Sequence, residues 1–213
     1  MATLDQFYSI IEPRVGGCPR PLIMNELTQL LQDFFSFSRI WQEDVTIASV
    51  GLAQMPLTIP PPAGTRVLEV IDVKVNDAFL DSRTLAALRA WSPDWQLMEG
   101  PDSFFFTAYG QSQIAVIPAP NPPSDVIATC ALTLAANASP TSTIPDDYFA
   151  EYSMGISDGV TARLLLMPNK AWSAPTLAPG YAAGYASARM GARVASNLGF
   201  TGAPMRASLR RTY

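Results

Sequence analysis

The chain has 213 residues and a mass of 23.0 kDa, which makes one large domain or two small ones. Hydrophobic residues make up 48 % and charged residues only 15 %, so bulk disorder is excluded, and so charge-poor a surface points to cover by partners in an assembly. The net charge is −4 and histidine is absent. That absence excludes Ser-His-Asp and Cys-His hydrolysis and every His-ligated metal site.

In chain order, Leu4, Phe7, Tyr8 and Ile11 fall on one helical face, which predicts a short helix over 4–12 with Thr3 as its cap. A second helix is predicted from Pro21 to Trp41, its far end apolar nearly all round. The period then shortens. Asp44 to Leu52 and Arg66 to Val75 alternate as strands, separated by a proline-rich loop, 53–64. Ser82 to Ala90 reads as a short helix capped by Asp81 or Ser82. Trp95 to Met98, Ser103 to Thr107 and Gln113 to Ile117 read as short strands, and Pro118 to Pro123 as a loop. Val126, Ala128, Cys130, Leu132 and Leu134 mark a half-buried strand over 125–135. Helices return from Thr143 to Met167 and from Ser173 to Leu198, the latter with Leu177, Tyr181, Tyr185 and Ala188 as its inner stripe and Gly199 as its stop.

The expected fold is α+β. A helical core of 1–42 and 144–198 carries an inserted antiparallel β-rich sandwich or small barrel, 43–143, and an extended C-terminal tail, 199–213.

Charge is split along the chain. After Asp158 there is no acidic residue, while Arg163, Lys170, Arg189, Arg193, Arg206, Arg210 and Arg211 follow. A basic end of this kind suits nucleic acid, an acidic membrane or an acidic protein surface, and helix ends with a solvated tail are the bland account. Asp146, Asp147, Glu151 and Asp158 are read as helix-start acids, without the loop of a calcium site. Cys18 and Cys130 are 112 residues apart with no CxxC spacing, and two buried thiols are expected. Gly155, Gly159, Gly180 and Gly184 recur at four-residue spacing, which lets helix backbones approach closely. No phosphate-loop motif accompanies them. Phe104, Phe105, Phe106, Trp91 and Trp95 are read as core packing rather than base stacking, since no basic residues interleave them. No secretory signal is visible at Met1–Asp5, and the apolar run from Ile127 to Ala138 is too short to span a bilayer, so the chain is expected to be soluble.

Three stretches resemble a known family. The first is Val15-Gly16-Gly17-Cys18-Pro19-Arg20-Pro21-Leu22-Ile23, with Leu27, Leu30, Phe34 or Phe35, and Ile40-Trp41. The second is Ile117-Pro118-Ala119-Pro120, the strand, and Ile144-Pro145-Asp146-Asp147-Tyr148. The third is Gly159-Val160-Thr161-Ala162-Arg163-Leu164, Met167-Pro168-Asn169-Lys170, Trp172, Ala178 and Tyr181. In this order they resemble the head-to-tail adaptor (connector) proteins of tailed bacteriophages, over nearly the whole chain.

The resemblance implies a structural virion protein of the neck, assembled in the host cytoplasm, with no catalytic residues, metal or cofactor. It implies a helical core with a β-rich insertion, in a ring of about twelve copies under the portal. The implied partners are the portal protein, neighbouring adaptor subunits and the next tail or neck component, with no membrane. DNA would pass through the lumen without specific binding. The C-terminal segment would grip the portal, and Met205, Arg206, Leu209, Arg210, Arg211 and Tyr213 are the residues expected to do so. The proline-rich loop 53–64 departs from the family. Other readings are a different virion structural protein, for tail completion or head decoration, and a nucleic-acid-binding module using the basic C-terminus.

Overall fold

The computed structural model describes residues 1–52 and 55–198. In chain order, β1 (Ala2–Thr3), α1 (Leu4–Ile11) and α2 (Arg20–Ser38) precede β2 (Gln42–Val50), β3 (Leu57–Thr58), β4 (Thr65–Val75), β5 (Ala78–Phe79) and β6 (Asp81–Ser82). Then come α3 (Leu85–Trp91), β7 (Glu99–Gly100), β8 (Phe105–Ala108), β9 (Gln113–Ile117), β10 (Ala119–Pro120) and β11 (Ser124–Leu134). The last elements are β12 (Thr143–Ile144), α4 (Asp146–Leu165) and α5 (Ala178–Leu198). The fold is α+β, and the described residues form two compact units: 1–40 with 139–198, and 41–138.

The first unit is helical. Leu4, Phe7 and Ile11 of α1 are fully buried, as their one-face spacing requires. Thr3 stands at the cap position, but its side chain makes no capping bond. Its backbone instead pairs with Thr143 in the small ladder β1–β12, which joins the two stretches of chain that make the unit. α2 ends at Ser38, three residues before Trp41. Arg39 adopts a left-handed conformation (φ 54°) and donates its amide to the Phe35 carbonyl at 2.9 Å. Ile40 and Trp41 stay buried outside the helix, so their hydrophobicity was no sign of helical continuation.

Pro145 occupies the cap position of α4, and Asp146 and Asp147 fill its first turn, where the helix dipole favours negative charge. Ten of its twenty residues are buried, Ser153, Ser157 and Thr161 among them. Thr161 Oγ1 donates to the Ser157 carbonyl at 2.8 Å, which satisfies a buried hydroxyl within the helix. α5 begins at Ala178, later than the Ser173 and Pro175 signals imply. Leu177 lies before the helix, 60 % exposed, and drops out of the inner stripe.

The second unit holds two four-stranded sheets, β2-β11-β4-β5 and β3-β9-β8-β6. β11 is the central strand of the first, antiparallel to β2 and β4. Val126, Ala128, Cys130, Leu132 and Leu134 are all fully buried, but so are Ala131 and Thr133, so the strand is half-buried only up to Thr129 and buried on both faces beyond it. Asn76 and Asp77 both take positive φ (49° and 63°) between β4 and β5, as a two-residue hairpin needs. Pairing is antiparallel except for two short parallel ladders, β6–β8 and β10–β7. The second of these draws Ala119–Pro120 out of the expected loop.

Two local readings are corrected. The cap of α3 is Thr84, whose Oγ1 accepts from the Ala87 amide at 3.2 Å, and not Asp81 or Ser82, which pair with β8. Trp95–Leu97 is a 3-10 turn and not a strand. Trp95 is 4 % exposed and Leu97 73 %, whereas a strand would place both on one side. The three-residue period brings Met98 onto the side of Trp95, and both belong to a small core with Leu88, Ala115 and Ile117.

Phe34 is fully buried in the helical unit, with its ring 5.5 Å from Phe35 and 5.4 Å from Tyr152. Phe34→Ala is expected to cost about 3–5 kcal/mol, read as a lower urea midpoint at unchanged slope.

Candidate functional site

α4 and α5 pack backbone to backbone at small residues. A Cβ added to Gly155 would collide with the Ala188 Cβ. One on Gly159 would lie 2.7 Å from both Leu30 and the Tyr185 ring, and one on Gly184 would lie 2.5 Å from Asp158 Oδ2. Real Cβ contacts do not come this close, so a side chain at any of the three would force a neighbour to move; the Ala188 Cβ opposite Gly155 cannot swing aside, whereas Leu30 and the Asp158 carboxylate are side-chain ends. Gly180 is different. A Cβ there meets nothing within 4 Å, so the expected fourth packing glycine faces open space.

Polar contacts flank this seam. Arg14 donates to Asp158 Oδ1 at 2.6 Å, both side chains being largely shielded from water, and its guanidinium lies 5.6 Å from the Tyr181 ring centroid. Asp158 is thus held by an arginine and also packs over Gly184. Arg163 bonds Asp33 at 2.6 Å and lies 3.7 Å from Glu26, which ties α4 to α2. The Arg189 guanidinium stacks 4.0 Å from the Phe37 ring, Arg193 donates to the Phe37 carbonyl at 3.3 Å, and Ser196 donates to the Arg39 carbonyl at 3.1 Å. The cations of α5 therefore meet the negative, carbonyl-rich end of α2. Burial raises the Tyr185 phenol above its usual range, and Arg189 offsets this in part.

The seven basic residues after Asp158 therefore divide into two groups of three and the exposed Lys170. Arg163, Arg189 and Arg193 serve packing within the helical unit. Arg206, Arg210 and Arg211, with Met205, Leu209 and Tyr213, lie outside the described residues. Among the described residues no group of acids and cysteines is placed to hold a metal ion, and no helix is long and apolar enough to cross a membrane.

The aromatic residues also divide. Phe106 and Trp95 are core, at 3 % and 4 % exposure, whereas Phe104 and Trp91 are 58 % and 52 % exposed. Phe79, 67 % exposed, went unnoticed in the sequence because a lone phenylalanine beside a turn carries no pattern. Compared with family models and with curated proteins, the chain matches none.

Two tests follow from this geometry. Gly155→Ala should destabilise the chain by about 1–3 kcal/mol through overpacking, while Gly191→Ala, whose new Cβ would meet nothing within 4 Å, should stabilise it by about 0.5–1 kcal/mol. A thermal melt of each variant reads both signs. Cys130 is a free, fully buried thiol, and burial pushes its pKa from 9.0 up to about 11, with the Asp44 charge adding to the rise. The neutral thiol is thus favoured by folding below pH 9, and that stability is lost as pH rises towards 11. Native protein at pH 8 should leave Cys130 unmodified by a thiol reagent, and denatured protein should react fully.

Proposed function

We propose that the chain is a head-to-tail adaptor of a tailed bacteriophage, a structural protein that forms a ring below the portal and links the capsid to the tail. The observation that carries this reading is the arrangement of the chain. Both ends build one helical unit, a β-rich unit is inserted at 41–138, and the basic residues Arg206, Arg210 and Arg211 follow α5. That order is the one the resemblance implies. The charge-poor composition supports it, because an assembly covers surface that would otherwise need charge to stay soluble.

In this reading residues 199–213 dock on the portal. Met205, Leu209 and Tyr213 supply apolar anchors, and the three arginines supply directed contacts to carboxylates. The acidic balance of the remaining chain suits a channel wall that lets DNA slide past. The internal use of Arg163, Arg189 and Arg193 weakens the nucleic-acid reading, since it removes three of the seven cations on which that reading rests.

Quantitative mass spectrometry of purified particles tests the proposal. About one copy per portal subunit is the expected result. Hundreds of copies would point instead to a decoration or tube protein, and absence from the particle would overturn the structural reading. Removing residues 200–213 should abolish binding to isolated portal rings. Salt-sensitive DNA binding by the full chain, lost on the same truncation, would favour the nucleic-acid module.

A further inference from the structure

The β-rich unit carries an unassigned pocket at the place where its two sheets meet. The chain crosses from one sheet to the other between Phe79, on edge strand β5, and Asp81, on edge strand β6. Leu80 between them is buried and anchors the crossing. The Asp81 amide donates to the Phe104 carbonyl at 2.9 Å, which fixes the opposite wall. The depression, open to solvent on one side, measures about 570 Å³ and is bounded by Phe79, Phe104 and Phe105 and by Asp81, Asp102 and Ser103.

Its chemistry is one-sided. No lysine or arginine lines it. Ser103 is occupied, donating to the Pro118 carbonyl at 2.7 Å. Asp81 and Asp102 are exposed, and among the described residues neither is in an ion pair. The surrounding unit has ten acidic and four basic residues. The rings here already attract cations: Lys74 lies 4.5 Å from the Phe79 centroid and Arg83 lies 4.9 Å from that of Phe105, though neither lines the pocket.

We infer that this pocket receives an arginine side chain of a partner protein, carried on a segment with apolar neighbours. A planar guanidinium can lie against a phenylalanine ring while its edge bonds a carboxylate, and a compact ammonium cannot do both as well. The pocket exceeds what one arginine side chain fills, so neighbouring apolar residues of the same segment cover Phe79 and Phe104, which are otherwise 67 % and 58 % exposed. The pocket's chemistry is the same whether or not the chain is an adaptor. In a neck assembly it would serve a different partner from the one held by residues 199–213.

An amide-resolved NMR titration of the full chain with N-acetyl-Leu-Arg-Leu-amide tests this, with the citrulline peptide as the neutral isostere. The arginine peptide should shift amides at 76–81 and 102–105. The citrulline peptide should bind about tenfold more weakly, the value of one charge-assisted bond. Asp81→Asn with Asp102→Asn should lose a similar factor without disturbing distant amides, and Phe79→Ala should weaken both peptides. Equal binding of the two peptides, shifts elsewhere, or no binding at millimolar peptide would overturn the inference. So would the same amides shifting when the chain is shortened to 1–198, since the occupant would then be the chain's own C-terminal segment.

Discussion

The helical unit is made from two stretches of chain that are far apart in sequence, and the second of them turns on the seam between α4 and α5, against which α2 of the first packs through Leu30 and Phe34. Dispersion and burial reward such contact only when the backbones come close. Here the approach is set by atoms that are missing. Gly155, Gly159 and Gly184 leave room for Ala188, for Leu30 and Tyr185, and for Asp158 in turn. Filling the gap at Gly155 would lift α5 from α4, because the Ala188 Cβ has no rotamer by which to yield. It would also separate Arg189 and Arg193 from the end of α2, so that packing and electrostatics would fail together. The salt bridge from Arg14 to Asp158 belongs to the same seam, since the carboxylate it holds is the group that lies over Gly184.

The fold was largely legible because its apolar spacing changes period at two clear places. Leu4, Phe7 and Ile11 announce a helix because one face is buried and the other is not, and Val126, Ala128 and Cys130 announce a strand by the same alternation, although from Cys130 to Leu134 both faces are buried. Reading failed where residues bury on several sides or where the unit of structure is very short. Ile40 and Trp41 look helical because they are apolar, yet they are buried in the connection after a left-handed Arg39. Trp95 to Met98 is too short to separate a period of two from a period of three. The proper cap of α3 was hidden by a run of competing polar residues, Asp81, Ser82 and Thr84.

The candidate surfaces were less legible than the fold, for a physical reason. Small-residue spacing shows that a helix can be approached closely, but not from which side. The sequence therefore grouped Gly180 with its three neighbours, and the structure leaves it in the open. Charge counting shows how many cations a segment holds, not which ones neighbouring carboxylates and carbonyls have already engaged. Asp33 and the C-terminal end of α2, both more than 125 residues away, account for Arg163, Arg189 and Arg193. The pocket beside Phe79 depends on two edge strands of different sheets meeting, which no local pattern records.

The insertion has a consequence for how the protein is made. α1 and α2, whose buried faces include Phe7, Leu27, Phe34 and Phe35, are synthesised before the inserted unit. The residues that cover them, Tyr148, Tyr152 and Tyr185 among others, emerge only after the whole β-rich unit has been translated. The inserted unit therefore has its full complement of strands on the nascent chain while the helical unit is still half-built. The first helices must wait, with their aromatic faces uncovered, for the last one to arrive.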